Sequence, residues 1–217
     1  APNVTWPRYF AAVGVNNLRD VIVGQPEFFE RASELVKSVS LADWKTYLRW
    51  HVLHNFAAYL SRDFEDEDFR FYSQELRGTK EMQPRWKRVI TTIDHEMGEA
   101  LGKLYVAKRF PPAAKQRMDE MVANLAAAYR ERLSSRDWMA DNTKRRALDK
   151  LAAILPKIGY PAKWRDYSGL VVATDSYAAN VMRADAFESK RRLARLGKPV
   201  DRLEWYMTPP TVNAYYN

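Results

Sequence analysis

A long run of helical periodicity in the middle of the chain constrains the fold most strongly. The run lies between Pro84 and Pro111, and its apolar residues recur at steps of three and four. They are Val89, Ile90, Ile93, Met97, Leu101, Leu104 and Tyr105. This spacing places the apolar side chains on one face of a helix, which the pair Pro111-Pro112 cannot continue. The pattern therefore predicts an amphipathic helix that must pack against other elements.

The same periodicity recurs along most of the chain. It predicts further helices over residues 6–13, from Pro26, from Ser40, through the aromatic residues 69–76, from Pro112, over 143–158 and over 176–196. Short connections between such helices are typical of antiparallel neighbours in a bundle. The sequence therefore predicts a mainly α, irregular multi-helix bundle. At most two short strands are expected, one at 21–23 and one at the C-terminal end.

Composition excludes several classes of site and partner. The chain has no cysteine, so disulfides and cysteine-ligated metals are excluded. No apolar run approaches the roughly 20 residues that a membrane-spanning helix needs, so no membrane segment is expected in this chain. The formal net charge is +8, but the basic residues alternate with acidic ones, as on solvated helix faces. No nucleic-acid partner is therefore predicted.

The three histidines do not predict a metal site. His51 and His54 have helical i, i+3 spacing, but nothing nearby supplies the further ligands that zinc requires. The segment from His95 to Glu99 has a glutamate where the H-E-x-x-H zinc motif has its second histidine. We therefore expect no catalytic residue and no metal ligand in this chain. Glu96 and Glu99 are expected to face solvent, because Met97 and Leu101 occupy the apolar stripe.

The last ten residues carry the pattern of an edge strand. Val212 and the two tyrosines after Ala214 favour an extended backbone, and Pro209-Pro210 suits the entry of such a strand. A peptide can pair with the free backbone groups of an edge strand, and Asn213 adds a side-chain amide. The pattern alone more often indicates an ordinary terminal strand or a loose tail than a binding strand.

Several blocks, in order, resemble the neprilysin and endothelin-converting-enzyme family of zinc metalloendopeptidases. They are Pro84-Arg85-Trp86-Lys87-Arg88, the block from Glu99 to Val106, Trp138-Met139 with Thr143, Ala147 and Lys150, Ile158-Gly159-Tyr160-Pro161, and Val212-Asn213-Ala214-Tyr215-Tyr216-Asn217 after Glu204-Trp205. The resemblance covers most of the chain and is weaker before Pro84. Gly102, Trp138 and Gly159 match family positions of a structural kind. We expect Trp86 and Trp138 to be buried and to matter more for stability than any charge.

The resemblance implies two mainly helical lobes around a cavity, a lid and a zinc-bearing catalytic lobe. Residues 1–134 are expected to form a lid-type lobe, and 135–217 the start of the catalytic lobe, ending in an edge strand. In the family, an Asn-Ala strand binds the substrate backbone, which implies a substrate-binding role for Asn213 and Ala214. The family's H-E-x-x-H motif comes after this strand. Zinc is therefore expected in the parent protein and not in this chain.

The resemblance also sets expectations for activity and partners. The parent is expected to be a zinc metalloendopeptidase that cleaves oligopeptides, and this chain alone is expected to be inactive. Its expected partners are a peptide substrate and the remaining catalytic lobe of the same polypeptide. An extracytoplasmic location of the parent, secreted, periplasmic or membrane-anchored, is also implied. The alternative is a non-enzymatic helical interaction module whose basic faces bind an acidic partner.

Overall fold

The structure, a computed structural model, describes residues 2–16 and 18–216 and is built from α-helices. A turn of 3-10 helix spans Ala57–Tyr59, and a π-helix spans Phe69–Glu75. No β-strand occurs in the described part of the chain, so the prediction of a mainly α fold is confirmed. The eight α-helices of the described residues are α1 Trp6–Ala12, α2 Pro26–Ser38, α3 Leu41–Phe56, α4 Arg62–Asp68, α5 Arg85–Arg109, α6 Pro112–Ser134, α7 Asp141–Ala153 and α8 Tyr177–Leu193.

The helix starts follow local capping chemistry that the sequence shows. At the start of α3, the backbone N–H of Asp43 donates to Ser40 Oγ at 3.1 Å, which satisfies one free N–H of the first turn. Ser176 caps α8 in the same way, accepting from the backbone N–H of Ala179. Proline occupies the first helical position of α2 and α6, where its missing N–H is not needed.

Two helix ends lie earlier than the periodicity predicts. The helix predicted to run to Ile158 ends at Ala153, and Ile154 is already extended with ψ 128°. The cause is Pro156, which disfavours helical geometry at the residue before it and has no N–H to donate. The helix predicted to run to Leu196 ends at Leu193. Both expectations were wrong by a few residues, in the last turn of each pattern.

The chain divides into two compact units, each made of two chain segments. The described residues of Ala1–Pro84 and Gly169–Lys198 form the first unit, and those of Arg85–Ser168 and Pro199–Asn217 form the second. The first unit contains α1 to α4 and α8, and the second contains α5 to α7 and the C-terminal segment. The functional division of the chain at residue 134 stays a prediction.

The core of the first unit lies where α8 packs on the 3-10 turn after α3. The rings of Tyr59 and Tyr177 meet edge to face, with centroids 5.4 Å apart. Small side chains allow this close approach, and each is less than a tenth exposed. They are Ala57, Ala178, Val181 and Ala184.

An ion pair fixes the loop that enters α8. Arg183 donates from two guanidinium nitrogens to the Asp175 carboxylate, at 3.0 and 2.6 Å, and the backbone N–H of Ser176 donates to the same group. Stabilisation of the charged carboxylate by Arg183, and then by Ser176, lowers the pKa of Asp175 to about 2. Asn180 holds the same loop through two bonds to the backbone of Ala173.

This ion pair predicts a pH-dependent contribution to stability. The pKa of Asp175 is lower in the folded chain than the value of about 3.9 expected when unfolded, so ionisation favours the folded state. The contribution is present above pH 4 and is lost as the pH falls towards 2. We expect the difference in urea midpoint between the wild-type chain and Asp175→Asn to shrink over that window. A difference that is constant from pH 6 to pH 2 would contradict the assignment.

The expected burial of two tryptophans was wrong. Trp86 is 62% exposed and Trp138 is 76% exposed. Trp86 lies in the first turn of α5 with the ammonium of Lys87 over its ring, and Trp138 lies in the connection between α6 and α7. No described element of either tryptophan's own unit covers its ring enough to bury it. Neither ring is therefore expected to dominate the stability of this chain.

Candidate functional site

The predicted substrate-binding residues lie just after a tight turn in the second unit. The turn spans residues 208–211, and the backbone N–H of Thr211 donates to the carbonyl of Thr208 at 2.9 Å. Pro209 occupies the first central position, where its fixed φ favours a turn, and Pro210 occupies the second. Asn213 and Ala214 follow within three residues, so the position of this turn sets where they lie.

The turn rests on two glycines of α5, Gly98 and Gly102, which we call the glycine notch. A β-carbon added at Gly98 would collide with Thr208 Cγ2, and one added at Gly102 would lie 2.5 Å from Pro209 Cδ. Both separations are far shorter than van der Waals contact, so only glycine admits the turn at this depth. Met97, just before the notch, has non-helical dihedrals of φ −135° and ψ 36°, which kink α5 at this point.

A hydrogen bond from Thr208 to Asp94 also holds the turn against α5. Thr208 Oγ1 donates to Asp94 Oδ2 at 3.0 Å, and Thr208 Oγ1 also lies 2.9 Å from Thr211 Oγ1. A hydroxyl has one proton to donate, so Thr208 accepts from Thr211 when it donates to Asp94. Asp94, Gly98 and Gly102 follow at steps of four residues along α5. All three contact the same turn across the kink at Met97, so its polar and steric contacts come from one side of that helix.

Asn213 and Ala214 are consecutive residues of an exposed segment. The side-chain oxygen of Asn213 accepts from the backbone N–H of Ala214 at 2.8 Å, so these two polar groups satisfy each other. Residues 211–216 form no helix and no strand ladder with any described residue. The segment is held at Tyr215, whose hydroxyl accepts from the backbone N–H of Tyr206 and whose ring meets the Tyr206 ring. The strand and the substrate-binding role stay predictions.

Glu99 is buried, so the expectation that Glu96 and Glu99 face solvent was wrong. Glu99 is 8% exposed, and its carboxylate accepts from the backbone N–H of Arg165 at 2.7 Å. The guanidinium of Arg165 lies 3.5 Å from the other carboxylate oxygen. The side chain of Glu96 is also only 10% exposed. The kink at Met97 rotates the next turn of α5, so simple helical phase does not predict the direction of Glu99.

The histidines do not form a zinc site. His54 pairs with Asp68 at 3.2 Å, and His51 lies against aromatic rings of its own helix. His95 is 79% exposed and pairs with Glu96. In residues 2–16 and 18–216, no three His, Asp or Glu side chains are close enough to hold a metal ion. The described residues therefore do not fit the zinc ion of a metallopeptidase.

The segment Ile158-Gly159-Tyr160-Pro161 is clamped against the junction of α5 and α6. Lys115 donates to the carbonyl of Ile158 at 3.0 Å and lies over the ring of Tyr160. Gly159 has φ +73°, and a β-carbon there would collide with the ring of Phe110. The segment is thus held by a conformation and a contact that both require glycine.

Sequence reasoning missed Asp94 and Arg165 and gave Gly98 no role. Arg165 donates to a carboxylate 66 positions earlier in the chain, and Thr208 donates to one 114 positions earlier. No local pattern reports such pairings. Two glycines four residues apart within a long helical repeat were a usable signal, because glycine weakens a helix unless something packs against it.

Comparison with known proteins identifies the family. A family model described as Peptidase family M13 matches residues 1–161. Endothelin-converting enzyme 1 of Rattus norvegicus is 29% identical over 228 residues, a match that covers 100% of this chain and 30% of that protein. Neutral endopeptidase of Lactobacillus helveticus is 32% identical over 199 residues, covering 91% of this chain and 31% of that protein.

Solved structures agree with these sequence matches. The open state of the Mycobacterium tuberculosis zinc metalloprotease ZMP1 superposes with a TM-score of 0.88 at 44% identity, covering 99% of this chain and 34% of that chain. PepO of Lactobacillus rhamnosis superposes with a TM-score of 0.75 at 28% identity, covering 85% of this chain and 30% of that chain. The chain therefore belongs to peptidase family M13, the neprilysin-type zinc metalloendopeptidases.

The chain spans about a third of the length of the relatives it matches. None of its described helices combines the length and apolarity that a bilayer crossing requires.

Proposed function

We propose that this chain is part of a zinc-dependent endopeptidase that cleaves oligopeptides in an enclosed cavity. Residues 1–134 supply much of a helical lid, and 135–217 begin the catalytic lobe. The zinc ligands come from residues outside these 217. Membership of peptidase family M13 supports this proposal over a non-enzymatic helical module that binds an acidic partner. An extracytoplasmic location of the longer protein is part of the same proposal.

In this proposal, Asn213 and Ala214 bind the backbone of the peptide. The observation that carries it is the pairing of Asn213 Oδ1 with the backbone N–H of Ala214 in an exposed segment without a ladder partner among the described residues. One acceptor and one donor satisfy each other here, and a peptide backbone offers both an N–H and a C=O to replace them. A bound peptide backbone would replace this internal hydrogen bond with one bond to each of the two groups.

The contribution of these groups to the reaction is alignment. A peptide held at its backbone has lost the freedom to slide along the cavity, so the scissile bond meets the reacting groups at a fixed position. Backbone contacts do not depend on side-chain identity, which suits an enzyme that accepts varied sequences. The neighbouring turn of residues 208–211 gives the segment a fixed base.

Replacement of Asn213 by alanine tests this proposal in the longer protein that contains the chain. A lost neutral hydrogen bond costs about 0.5–1.5 kcal/mol, and more when its partner is left buried, so kcat/KM should fall by several-fold to about a hundredfold. Zinc content and thermal unfolding should not change. Asn124→Ala, an exposed asparagine of α6, is the matched control and should leave kinetics unchanged. Wild-type kinetics in Asn213→Ala would remove Asn213 from the substrate site.

The chain alone is predicted to bind zinc weakly and to be inactive. A catalytic zinc needs three protein ligands, and no three His, Asp or Glu side chains of residues 2–16 and 18–216 are grouped closely enough to supply them. Isothermal titration of the 217-residue chain with zinc should show no tight stoichiometric site. A single tight site that His95→Ala abolishes would contradict the assignment of these histidines.

A further inference from the structure

We propose that Asp94, Gly98 and Gly102 of α5 are positioning residues that fix the register of the segment carrying Asn213 and Ala214. The inference rests on the proposed function of those two residues. It adds a second set of residues, on a helix more than 100 positions earlier in the chain. These residues touch no substrate; they act through the turn of residues 208–211.

The glycine notch provides the steric contacts that fix the turn. Thr208 Cγ2 occupies the space of the missing side chain at Gly98, and the ring of Pro209 occupies the space at Gly102. The two contacts lie one helical turn apart, so they fix the position of the turn along α5 as well as its depth. Glycine is a poor helix former, and two glycines in α5 weaken the helix unless the turn packs there.

The polar contact is the bond from Thr208 Oγ1 to Asp94 Oδ2. The other carboxylate oxygen, Asp94 Oδ1, is buried and has no hydrogen-bond partner among the described residues. The bond from Thr208 is therefore the interaction that accounts for the Asp94 carboxylate beside the notch. The methyl group of Thr208 contacts Gly98 and its hydroxyl donates to Asp94, so one side chain makes both contacts.

The turn lies close to Asn213 in the sequence, so the position of the turn determines the position of the substrate-binding residues. Only Val212 separates the turn from Asn213, and each residue spans at most about 3.6 Å. A turn displaced by about 1 Å therefore displaces the substrate-binding groups by a similar amount. Misplacement on this scale, far from the reacting bond, costs up to about a hundredfold in rate.

Three variants of the longer protein test the steric contact: Gly98→Ala, Thr208→Ser, and the two together. Gly98→Ala should lower kcat by about tenfold or more at unchanged zinc content, because its methyl group displaces Thr208. Thr208→Ser removes the methyl group that fills the space at Gly98 but keeps the hydroxyl for Asp94 and the contact of Pro209 with Gly102, so it should lower kcat less than Gly98→Ala does. The double variant should recover to that level. A fall in kcat at unchanged zinc content and unchanged thermal unfolding is the outcome that a merely structural role for Gly98 does not give.

The polar contact has its own matched pair. Thr208→Val keeps the shape of threonine and removes the hydroxyl, so it should lower kcat more than Thr208→Ser does. Asp94→Asn keeps an acceptor for Thr208 and should retain more activity than Asp94→Ala. Where Asn213→Ala is impaired, wild-type kcat in Gly98→Ala, or a double variant no better than Gly98→Ala, overturns the inference. If Gly98→Ala does not fold, recovery of fold and kcat in the double variant supports the inference, and failure to recover overturns it.

Failure of the proposed function is distinguished by a readout that does not involve catalysis. Hydrogen exchange at the backbone N–H of Thr211, which bonds to the Thr208 carbonyl, reports the turn directly. Faster exchange in Gly98→Ala that is restored in the double variant supports the register device even if Asn213→Ala has wild-type kinetics. Impaired Asn213→Ala together with unchanged exchange and kcat in Gly98→Ala overturns the register device alone.

Discussion

Replacing Glu99 by alanine is expected to lower the free energy of unfolding by about 3 kcal/mol. The carboxylate is buried and binds both the backbone N–H and the guanidinium of Arg165. Removal of one partner from a buried pair costs about 3–5 kcal/mol, because the other charge is left without compensation. The guanidinium of Arg165 is partly exposed at 22%, which favours the lower end of this range. Equilibrium urea denaturation measures the change.

The exposed pair of Arg62 and Asp66 gives the matched control. Its side chains are 87% and 54% exposed, so Asp66→Ala should cost no more than about 1 kcal/mol. Glu99→Gln keeps an acceptor for the N–H of Arg165 and should fall between the two. A midpoint for Glu99→Ala no lower than that of Asp66→Ala would show that Glu99 is solvated, as helical phase alone predicts.

Replacing Gly159 by alanine is expected to cost about 2–5 kcal/mol. Two penalties add: about 1–2 kcal/mol for a β-carbon at φ +73°, and about 1–3 kcal/mol for overpacking against the ring of Phe110. Gly197 separates them, because it has the same φ and no described atom within 4 Å of the added carbon. Gly197→Ala should therefore cost only about 1–2 kcal/mol. Equal urea midpoints for the two variants would mean that Phe110 moves away freely.

Local chemistry was sufficient to predict most of the helices. Ser40 with Asp43, and the proline that opens α6, mark helix starts that the structure reproduces. The sequence also contains the signal for the end of α7, because Pro156 outweighs the apolar residues that extend the pattern, although the prediction placed the end too late. The kink at Met97 could not be predicted, because the apolar spacing continues across it. The direction of Glu99 depends on that kink and on Arg165, a partner distant in sequence.

The candidate site divides in the same way. Asn213 and Ala214 were predicted from a resemblance between motifs. Pro209 and Pro210 were interpreted as the entry of an edge strand, whereas in the structure they lie at the centre of a turn. What holds the turn could not be predicted, because Asp94 looks like any surface carboxylate of an amphipathic helix. Only the three-dimensional contact shows that Thr208 donates to it. Long-range pairs of this kind carry no local sequence signal.

A structure of the longer protein with a bound peptide tests the central claim most directly. The account predicts that the backbone of the peptide lies within about 2.7–3.2 Å of the Asn213 side-chain amide and of a backbone polar group of Ala214. It also predicts that the bond between Asn213 and the N–H of Ala214 is broken in that complex. A bound peptide that leaves this bond intact and contacts neither residue would contradict the account.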